Sequence, residues 1–219
     1  MSLAWYDQVT SFCRGKRLSV LSLQVCLLVL FMHQGSVMAV ESGSATEAIK
    51  GTIDQVLVIL GDEKFKQPEY ADESRAALEQ VMAKRFDYAE MGKRTLGREW
   101  KKLNATQQQE FVELFKQFLS NTYTGNVDGF TGEQVEYIKE RRKGKFAEVQ
   151  TKVISKKLTI PIDYRLLKKS SSWRVYDVVI DGVSLVKNFR GQFARIIKAT
   201  GFQGLLDKLR SKIAKKTAK

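Results

Sequence analysis

The residues of this chain that bring most chemistry into a short span are Asp177, Asp181 and Arg190. Positions 177 and 181 point to the same face of a β-strand, so the two carboxylates could share an acid/base site. The alternative is that Asp177 pairs with a neighbouring arginine while Asp181 and Gly182 form a turn. Position 184 is a serine, which is typical of a helix start, and Arg190 follows on an amphipathic segment.

Residues 1–39 have the features of a cleaved secretory signal. Arg14, Lys16 and Arg17 precede an apolar stretch over residues 18–32, and Ala39 ends a segment suited to cleavage. The stretch falls short of the roughly 18 continuous apolar residues that are typical of a membrane-spanning helix. We therefore expect cleavage after Ala39 rather than a retained anchor.

Cleavage would remove every cysteine and histidine, because Cys13, Cys26 and His33 all lie in this segment. The mature chain, residues 40–219, would then lack a disulfide, a thiol nucleophile, an imidazole base and any nitrogen or sulfur side-chain ligand for zinc. We expect no metal and no cofactor, which leaves paired carboxylates as the candidate acid/base groups. A cysteine-free exported chain is typical of an oxidising compartment such as the periplasm.

The mature chain is strongly basic. Without residues 1–39 it has 34 basic and 23 acidic residues, a net charge of +11. The densest basic cluster spans residues 139–145, and Arg190, Arg195 and Lys198 mark a later helix. These charges are suited to a solvated surface, to lipid phosphate, to an acidic protein or to nucleic acid, and net charge alone does not choose among them.

The elements that position these residues follow from hydrophobic periodicity. Apolar spacing predicts helices over residues 45–60 and 72–86, and from Asn104 to Tyr123, with two further helices over residues 186–199 and 202–213. Between them the apolar period falls to two, which predicts four strands in meander order, the third containing Pro161 and therefore expected at an edge or bulge. The expected units are helical residues 44–132, a sheet over 133–181 and C-terminal helices over 184–213.

Helices, then antiparallel strands, then helices again indicate the α+β class. We expect a four-stranded antiparallel sheet wrapped by about six helices into a half-open cone with an apolar interior. A stripe of aromatic residues on the long helix, including Phe111, Phe115 and Phe118, is typical of a core but also suits the wall of an apolar cavity.

Six short motifs occur in order along the mature chain: RTLGREW at 94–100, QQQEF at 107–111, IPIDY at 160–164, WRVYD at 173–177, GVSLV at 182–186 and NFR at 188–190. Together they resemble the MlaC family, also called toluene-tolerance auxiliary proteins, over essentially the whole mature chain. One departure is Phe189, where the family usually has tyrosine before the arginine.

The resemblance implies an NTF2-like cone that encloses the acyl chains of a phospholipid in a deep apolar cavity. It implies a soluble, monomeric periplasmic carrier that shuttles lipid between an outer-membrane lipoprotein complex and an inner-membrane ABC transporter complex. A carrier of this kind is not an enzyme, and its ligand is the phospholipid itself.

On this basis we predict a set of lipid-binding residues, drawn from the long helix, from the inward face of the strands and from the last helices. Arg190 is the predicted buried or mouth-located charge, paired with Asp177 or facing a phosphate. The predicted lipid-binding residues are Phe111, Phe115, Phe118, Leu119, Tyr123, Val149, Thr151, Val153, Ile160, Ile162, Tyr164, Val175, Val179, Phe193, Ile197 and Leu205.

Two other functions remain open at this stage. One is an enzyme that uses the cone with Asp177 or Asp181 as its acid/base group. The other is a cationic exported adaptor that binds an acidic protein or nucleic acid, for which the net charge of +11 is the support.

Overall fold

The structure, a computed structural model, describes residues 43–123, 132–155 and 158–217. The expected signal at residues 1–39 lies outside these ranges. In the part of the chain described, five α-helices accompany one five-stranded antiparallel sheet. The helices are α1 (Ala45–Gly61), α2 (Ala71–Arg85), α3 (Tyr88–Leu96), α4 (Ala105–Tyr123) and α5 (Leu185–Thr217). The strands are β1 (Gln134–Lys143), β2 (Phe146–Ile154), β3 (Thr159–Lys169), β4 (Ser172–Ile180) and β5 (Val183–Ser184).

The predicted first helix is confirmed as α1, and the hydrogen bonds of Ser44 and Glu47 explain why it begins at Ala45. The Ser44 hydroxyl accepts a hydrogen bond from the Glu47 amide at 3.1 Å, and the Glu47 carboxylate accepts one from the Ser44 amide at 2.7 Å. This reciprocal capping box satisfies two amides that a helix start would otherwise leave unpaired. The helix then buries Ala45, Ile49 and Thr52 against the sheet and α2.

The two predicted C-terminal helices form the two halves of α5. At Gly201 the backbone takes φ 72° and ψ −179°, which breaks the helix. Glycine tolerates this positive φ because it has no Cβ. Gly201 falls in the gap between the predicted helices 186–199 and 202–213, so the predicted break is confirmed.

The α+β class and the antiparallel meander are confirmed, with a fifth short strand added to the order β1-β2-β3-β4-β5. The extra strand β5 pairs back onto the end of β4 through a two-residue turn. Both turn residues have positive φ, 48° at Asp181 and 77° at Gly182, as a tight hairpin of this kind requires. Asp181 therefore makes the turn that the sequence predicts.

Pro161 lies on β3, which has a neighbouring strand on each side. It pairs with Lys152 and the register does not shift there, so the predicted edge or bulge is wrong. Its carbonyl accepts a hydrogen bond at 3.0 Å from the amide of Asp181, which lies just past the end of β4. In an antiparallel strand the N–H and C=O of one residue face the same neighbour. The missing N–H of Pro161 therefore falls where β4 has already ended.

Two irregularities decide which side chains face the helices. The β1–β2 register shifts at Ile138, and the β3–β4 register shifts at Tyr176. Beyond Tyr176 the alternation in β4 is reversed, so that Val178 joins Val175 on the helix-facing side. Val179 pairs with Asp163 and lies on the opposite face, so its predicted place in the cavity wall is wrong.

One apolar core lies between the helices and the inner face of the sheet, by which we mean the face that carries Val149. The sheet contributes fully buried residues from β2, β3 and β4, and the helices α1, α3, α4 and α5 contribute most of the others. Helix α2 packs Met82 against this core and buries Leu78. Gly92 of α3 allows a close approach of α4, because a Cβ placed there would lie 3.1 Å from the Phe111 ring.

Candidate functional site

Five phenylalanine rings fill the space between α4 and the first half of α5. We call Phe111, Phe115, Phe118, Phe189 and Phe193 the aromatic cluster. Neighbouring ring centroids are 5.5 to 5.9 Å apart, and most pairs meet edge to face. This is the separation and orientation that aromatic pairs prefer. Phe111 and Phe115 have no exposed surface, so the predicted aromatic stripe forms the centre of the core.

The predicted wall residues on the strands share the inner face, with Val179 as the exception. The Thr151 hydroxyl donates to the Ile162 carbonyl at 2.7 Å, so it places no unpaired polar group in the wall. Tyr164, Val153, Phe118 and Ile197 are partly buried against the same core. The fully packed members are Phe111, Phe115, Leu119, Val149, Thr151, Ile160, Ile162, Val175, Phe193 and Leu205, all less than 9% exposed.

The side chain of Tyr123 lies outside the described residues. For the other wall residues the structure provides the arrangement, a continuous apolar surface shared by sheet and helices. Their role in lipid binding stays a prediction.

The two best-formed surface cavities among the described residues do not lie between the aromatic cluster and the sheet. One, of about 400 Å³, lies along α4 near Thr106 and Glu113. The other, of about 320 Å³, lies beside Ser44, Arg85 and Trp173. Phe111, Phe115, Val149 and Val175 have no exposed surface and belong to one core, so a ligand between them requires the aromatic cluster and the inner face to move apart.

Two tyrosines bring hydroxyl groups to the inner face. The Tyr137 hydroxyl is buried and has no hydrogen-bond partner among the described residues. Burial, with a smaller contribution from the Asp54 carboxylate, raises the pKa of Tyr137 to about 12. Burial also raises the pKa of Tyr164 above its ordinary value. Both side chains therefore remain neutral donors in an apolar wall, which suits them to an ester or phosphate oxygen.

Asp177 holds the start of α5 and does not share a site with Asp181. It is 4% exposed. One carboxylate oxygen accepts hydrogen bonds from Arg165 at 3.2 Å and from the Ser184 hydroxyl at 2.7 Å, and the other accepts from the Val186 amide at 3.1 Å. Asp181 is exposed in its turn. The alternative in which Asp177 pairs with an arginine is the one that the structure bears out.

The prediction of Arg190 as a buried charge paired with Asp177 is wrong, and its alternative place at the cavity mouth, facing a phosphate, stays a prediction. Arg190 is exposed, and its Nε donates to the Arg94 carbonyl at 2.7 Å, in the last turn of α3. The arginine that meets Asp177 is Arg165, which lies directly across from it on β3. A carboxylate on a strand finds its nearest partners on the neighbouring strand. To predict that Arg165 is the partner of Asp177, one must know the register of β3 and β4, which the sequence alone does not give.

Sequence reasoning missed Arg174, which closes the end of α2. Its guanidinium donates to the carbonyls of Lys84 at 2.8 Å, Ala83 at 3.1 Å and Phe86 at 3.0 Å. These are carbonyls that a helix end leaves without intrahelical partners. The position of Arg174 directly after the buried Trp173 was the available signal.

Within the described ranges, no group of three or more His, Cys, Asp or Glu side chains is placed to hold a metal ion. In the same part of the chain, no helix combines the length and the apolar character needed to cross a membrane.

Residues 50–211 match the family described as MlaC protein. The chain belongs to the MlaC family. This confirms the resemblance carried by the motifs at 94–100 and 173–190. The matched range contains all five helices in whole or in part and the entire sheet.

Two sequence relatives and one solved structure support the MlaC assignment. The chain is 25% identical over 130 residues to the intermembrane phospholipid transport system binding protein MlaC of Haemophilus influenzae, a match that spans 57% of this chain and 60% of that protein. It is 25% identical over 180 residues to the toluene tolerance protein ttg2D of Pseudomonas putida, spanning 80% and 82%.

A solved structure of a phospholipid-binding protein from Ralstonia solanacearum, in complex with a phospholipid, superposes with a TM-score of 0.71 at 27% identity. The superposition covers 80% of this chain and 99% of that one. Nearly all of that structure therefore has a counterpart in this chain.

Proposed function

We propose that this chain is a phospholipid carrier of the periplasm, which holds the acyl chains of its cargo between the aromatic cluster and the inner face of the sheet. The observation that carries the proposal is the continuous apolar surface shared by that face and by α4 and α5. It is supported by membership of the MlaC family and by the phospholipid held by the Ralstonia relative.

The physical need for such an interior is large. Each buried methylene is worth about 0.8 kcal/mol, so two long acyl chains represent on the order of 20 kcal/mol of apolar burial. A lipid that crosses an aqueous space must keep this surface covered throughout. The aromatic rings that fill the interior have no polar group to satisfy, so separating them exposes apolar surface that the acyl chains then cover.

The carrier would exchange its cargo with two membrane complexes. By the name of the Haemophilus relative, that protein belongs to an intermembrane transport system. We place this chain in the same kind of system, as a monomer that moves lipid between an outer-membrane lipoprotein complex and an inner-membrane ABC transporter complex. The expected signal at residues 1–39 would deliver it to the periplasm.

The first test is lipid content. The mature protein, purified without added lipid, should show a mass increase equal to one or more phospholipids in native mass spectrometry, and solvent extraction should release them. After delipidation it should take up a fluorescent phospholipid. Absence of co-purifying lipid together with failure of uptake would refute the carrier function.

A matched pair of variants locates the site. Val153→Glu places a carboxylate on the inner face of β2, and we expect it to reduce bound lipid at least tenfold, because an acyl chain cannot solvate a charge. Lys152→Glu introduces the same group one residue away on the outer face and should leave lipid content unchanged. Equal lipid loss in both variants would place the cargo elsewhere.

A further inference from the structure

Two hairpin turns meet at one end of the sheet and concentrate positive charge there. The turn between β1 and β2 and the turn between β3 and β4 lie side by side, joined by a 2.8 Å hydrogen bond from the Lys168 amide to the Lys145 carbonyl. Lys168 is partly buried and the other cations at this end are exposed. We call this group the basic end; its members are Arg141, Arg142, Lys143, Lys145, Lys168 and Lys169.

The acidic residues nearest to the basic end are already engaged. Glu140 accepts hydrogen bonds from the amide and the hydroxyl of Thr46, at 2.8 and 2.7 Å. Glu148 meets Arg165 at 3.1 Å and Arg141 at 3.9 Å. Asp87 meets Lys169. Among the described residues, the other four cations of the basic end have no carboxylate within 4.0 Å.

The basic end also presents aromatic surface. The Phe146 ring, in a residue that is 38% exposed, stands edge-on to Tyr176 at 6.1 Å and lies 5.9 Å from the Lys145 ammonium. Beneath the turns, the buried Trp173 ring supports the Arg142 guanidinium at 4.9 Å and the Lys168 ammonium at 5.6 Å. Arg142 and Lys168 therefore lie over Trp173 on the inner face, while Lys143 lies opposite Phe146 on the outer face, so the basic end carries cations on both sides of the turns.

This composition favours a lipid surface over a protein partner. The cations without a carboxylate partner are lysines except for Arg142, and lysine is depleted at specific protein interfaces. An anionic bilayer attracts a set of lysines without requiring a fixed geometry, and aromatic rings settle at the level of its headgroups. Phe146 between flexible lysines matches this pattern.

We propose that the basic end docks on the surface of a bilayer rich in anionic phospholipid. This is a peripheral contact made by the outside of the protein, separate from the interior that we assign to the cargo. It would concentrate the protein at membranes, where its exchange partners are embedded, without committing it to either membrane.

The test is co-sedimentation of the mature protein with vesicles. Vesicles of phosphatidylglycerol mixed with phosphatidylcholine should bind the protein at low salt, and binding should weaken steeply as salt rises, whereas pure phosphatidylcholine vesicles should bind it at least tenfold more weakly. One basic residue near an anionic surface is worth about fivefold in affinity. The double variant Lys143→Glu/Lys145→Glu should therefore bind at least about 25-fold more weakly.

The matched control is Lys208→Glu/Lys212→Glu. It makes the same change in net charge at two exposed lysines of α5, which packs against α3, α4 and β4. This part of α5 lies beside α4, because Arg210 bonds to Glu110 and the Ile213 carbonyl accepts from Asn121. We expect the control to retain binding within about threefold, because its charges belong to neither turn of the basic end. Equal loss in both double variants would mean that net charge, and not the basic end, drives binding, and would overturn the proposal.

Two further outcomes would also overturn it. One is equal binding to neutral and anionic vesicles. The other is binding to soluble polyglutamate but not to vesicles, which would favour an acidic protein instead. Lipid extraction separates this proposal from the carrier function. A Lys143→Glu/Lys145→Glu protein that retains its cargo but has lost vesicle binding supports a docking role of the basic end that is distinct from the cargo site. A wild-type protein that carries no cargo but still binds anionic vesicles supports the basic end even if the carrier function fails.

Discussion

The helix ends and the aromatic cluster are held by different kinds of interaction. Glu140 bonds to the first turn of α1, Arg174 to the last turn of α2, Arg190 to the last turn of α3 and Asp177 to the first turn of α5. Each of these is a charged side chain that reaches from another element. The aromatic cluster, by contrast, is held by ring packing at 5.5 to 5.9 Å.

This difference separates what must stay fixed from what is able to move. Charge-assisted hydrogen bonds depend on direction and are lost when the partners shift by an ångström. Ring contacts depend weakly on direction, and their loss is compensated when another apolar group takes the place of the ring. The charged contacts at the helix ends therefore fix the positions of the helices. In the proposed carrier, the aromatic cluster is the part that would exchange its contacts for those of acyl chains.

The largest expected effect tests the aromatic cluster. Phe115→Ala should lower the free energy of unfolding of delipidated protein by about 3–5 kcal/mol, because it leaves a cavity in a fully buried site. With lipid bound the loss should be at least 1 kcal/mol smaller, since an acyl chain fills part of the cavity. Urea unfolding of both forms measures this. Phe146→Ala, which truncates a half-exposed ring, is the control, and a loss independent of lipid would remove the distinction between the two regions.

The second-largest expected effect tests one of the charged contacts at the helix ends, the one that Asp177 makes at the start of α5. Asp177→Ala should cost about 2–3 kcal/mol, because it leaves the Val186 amide and the Ser184 hydroxyl without their buried acceptor and removes one of the two carboxylates that Arg165 meets. The loss should be the same with and without lipid. Asp181→Asn changes an exposed turn residue at positive φ, which asparagine tolerates, and should alter the free energy of unfolding by less than about 0.5 kcal/mol. Similar losses at both positions would argue against the structural role of Asp177.

A smaller effect is expected at Arg174. Arg174→Ala should lower the free energy of unfolding by about 1–2 kcal/mol, because three carbonyls at the end of α2 lose a charged donor. Amide hydrogen exchange should accelerate in the last turn of α2 and not in α4. The matched control, Arg190→Ala, removes one exposed bond and should cost about 0.5 kcal/mol. Uniform acceleration across all helices would contradict a local capping role.

The smallest effect concerns Tyr137, a polar group inside the apolar region. Tyr137→Phe should leave stability at pH 7 unchanged or raise it by up to about 1 kcal/mol, because the lost hydroxyl is buried without a partner. Its pKa is raised from 10.0 to about 12, so the folded state favours the neutral form. The neutral Tyr137 side chain therefore makes a contribution to the free energy of unfolding that is fully present below pH 10 and is lost as the pH rises from 10 to 12.

Alkaline unfolding curves measure the Tyr137 contribution. Wild-type protein should lose more stability between pH 10 and 12 than Tyr137→Phe does. Tyr88, whose pKa burial also raises to about 12, is present in both proteins and contributes equally. Identical curves would mean that the Tyr137 hydroxyl is not buried in solution.

The sequence predicted the elements well because their signals are local. Periodicity and the Asp-Gly turn placed α1, α4, the meander and the start of α5, and the alternation in β2 placed Val149 on the inner face. The wrong predictions depend on non-local register. The irregularity at Tyr176 turned Val179 outward, and it has no signature in the residues themselves. Likewise, Arg165 meets Asp177 through strand pairing, which periodicity does not reveal.

The close approach at Gly92 has a consequence for the family's sequences. A Cβ at this position would lie 3.1 Å from the Phe111 ring and 3.4 Å from Val112. A larger side chain on α3 at this contact therefore requires a smaller one on α4. Relatives with alanine or serine at position 92 should compensate with a smaller side chain at position 111. An alignment of many MlaC sequences should therefore show these two positions varying together.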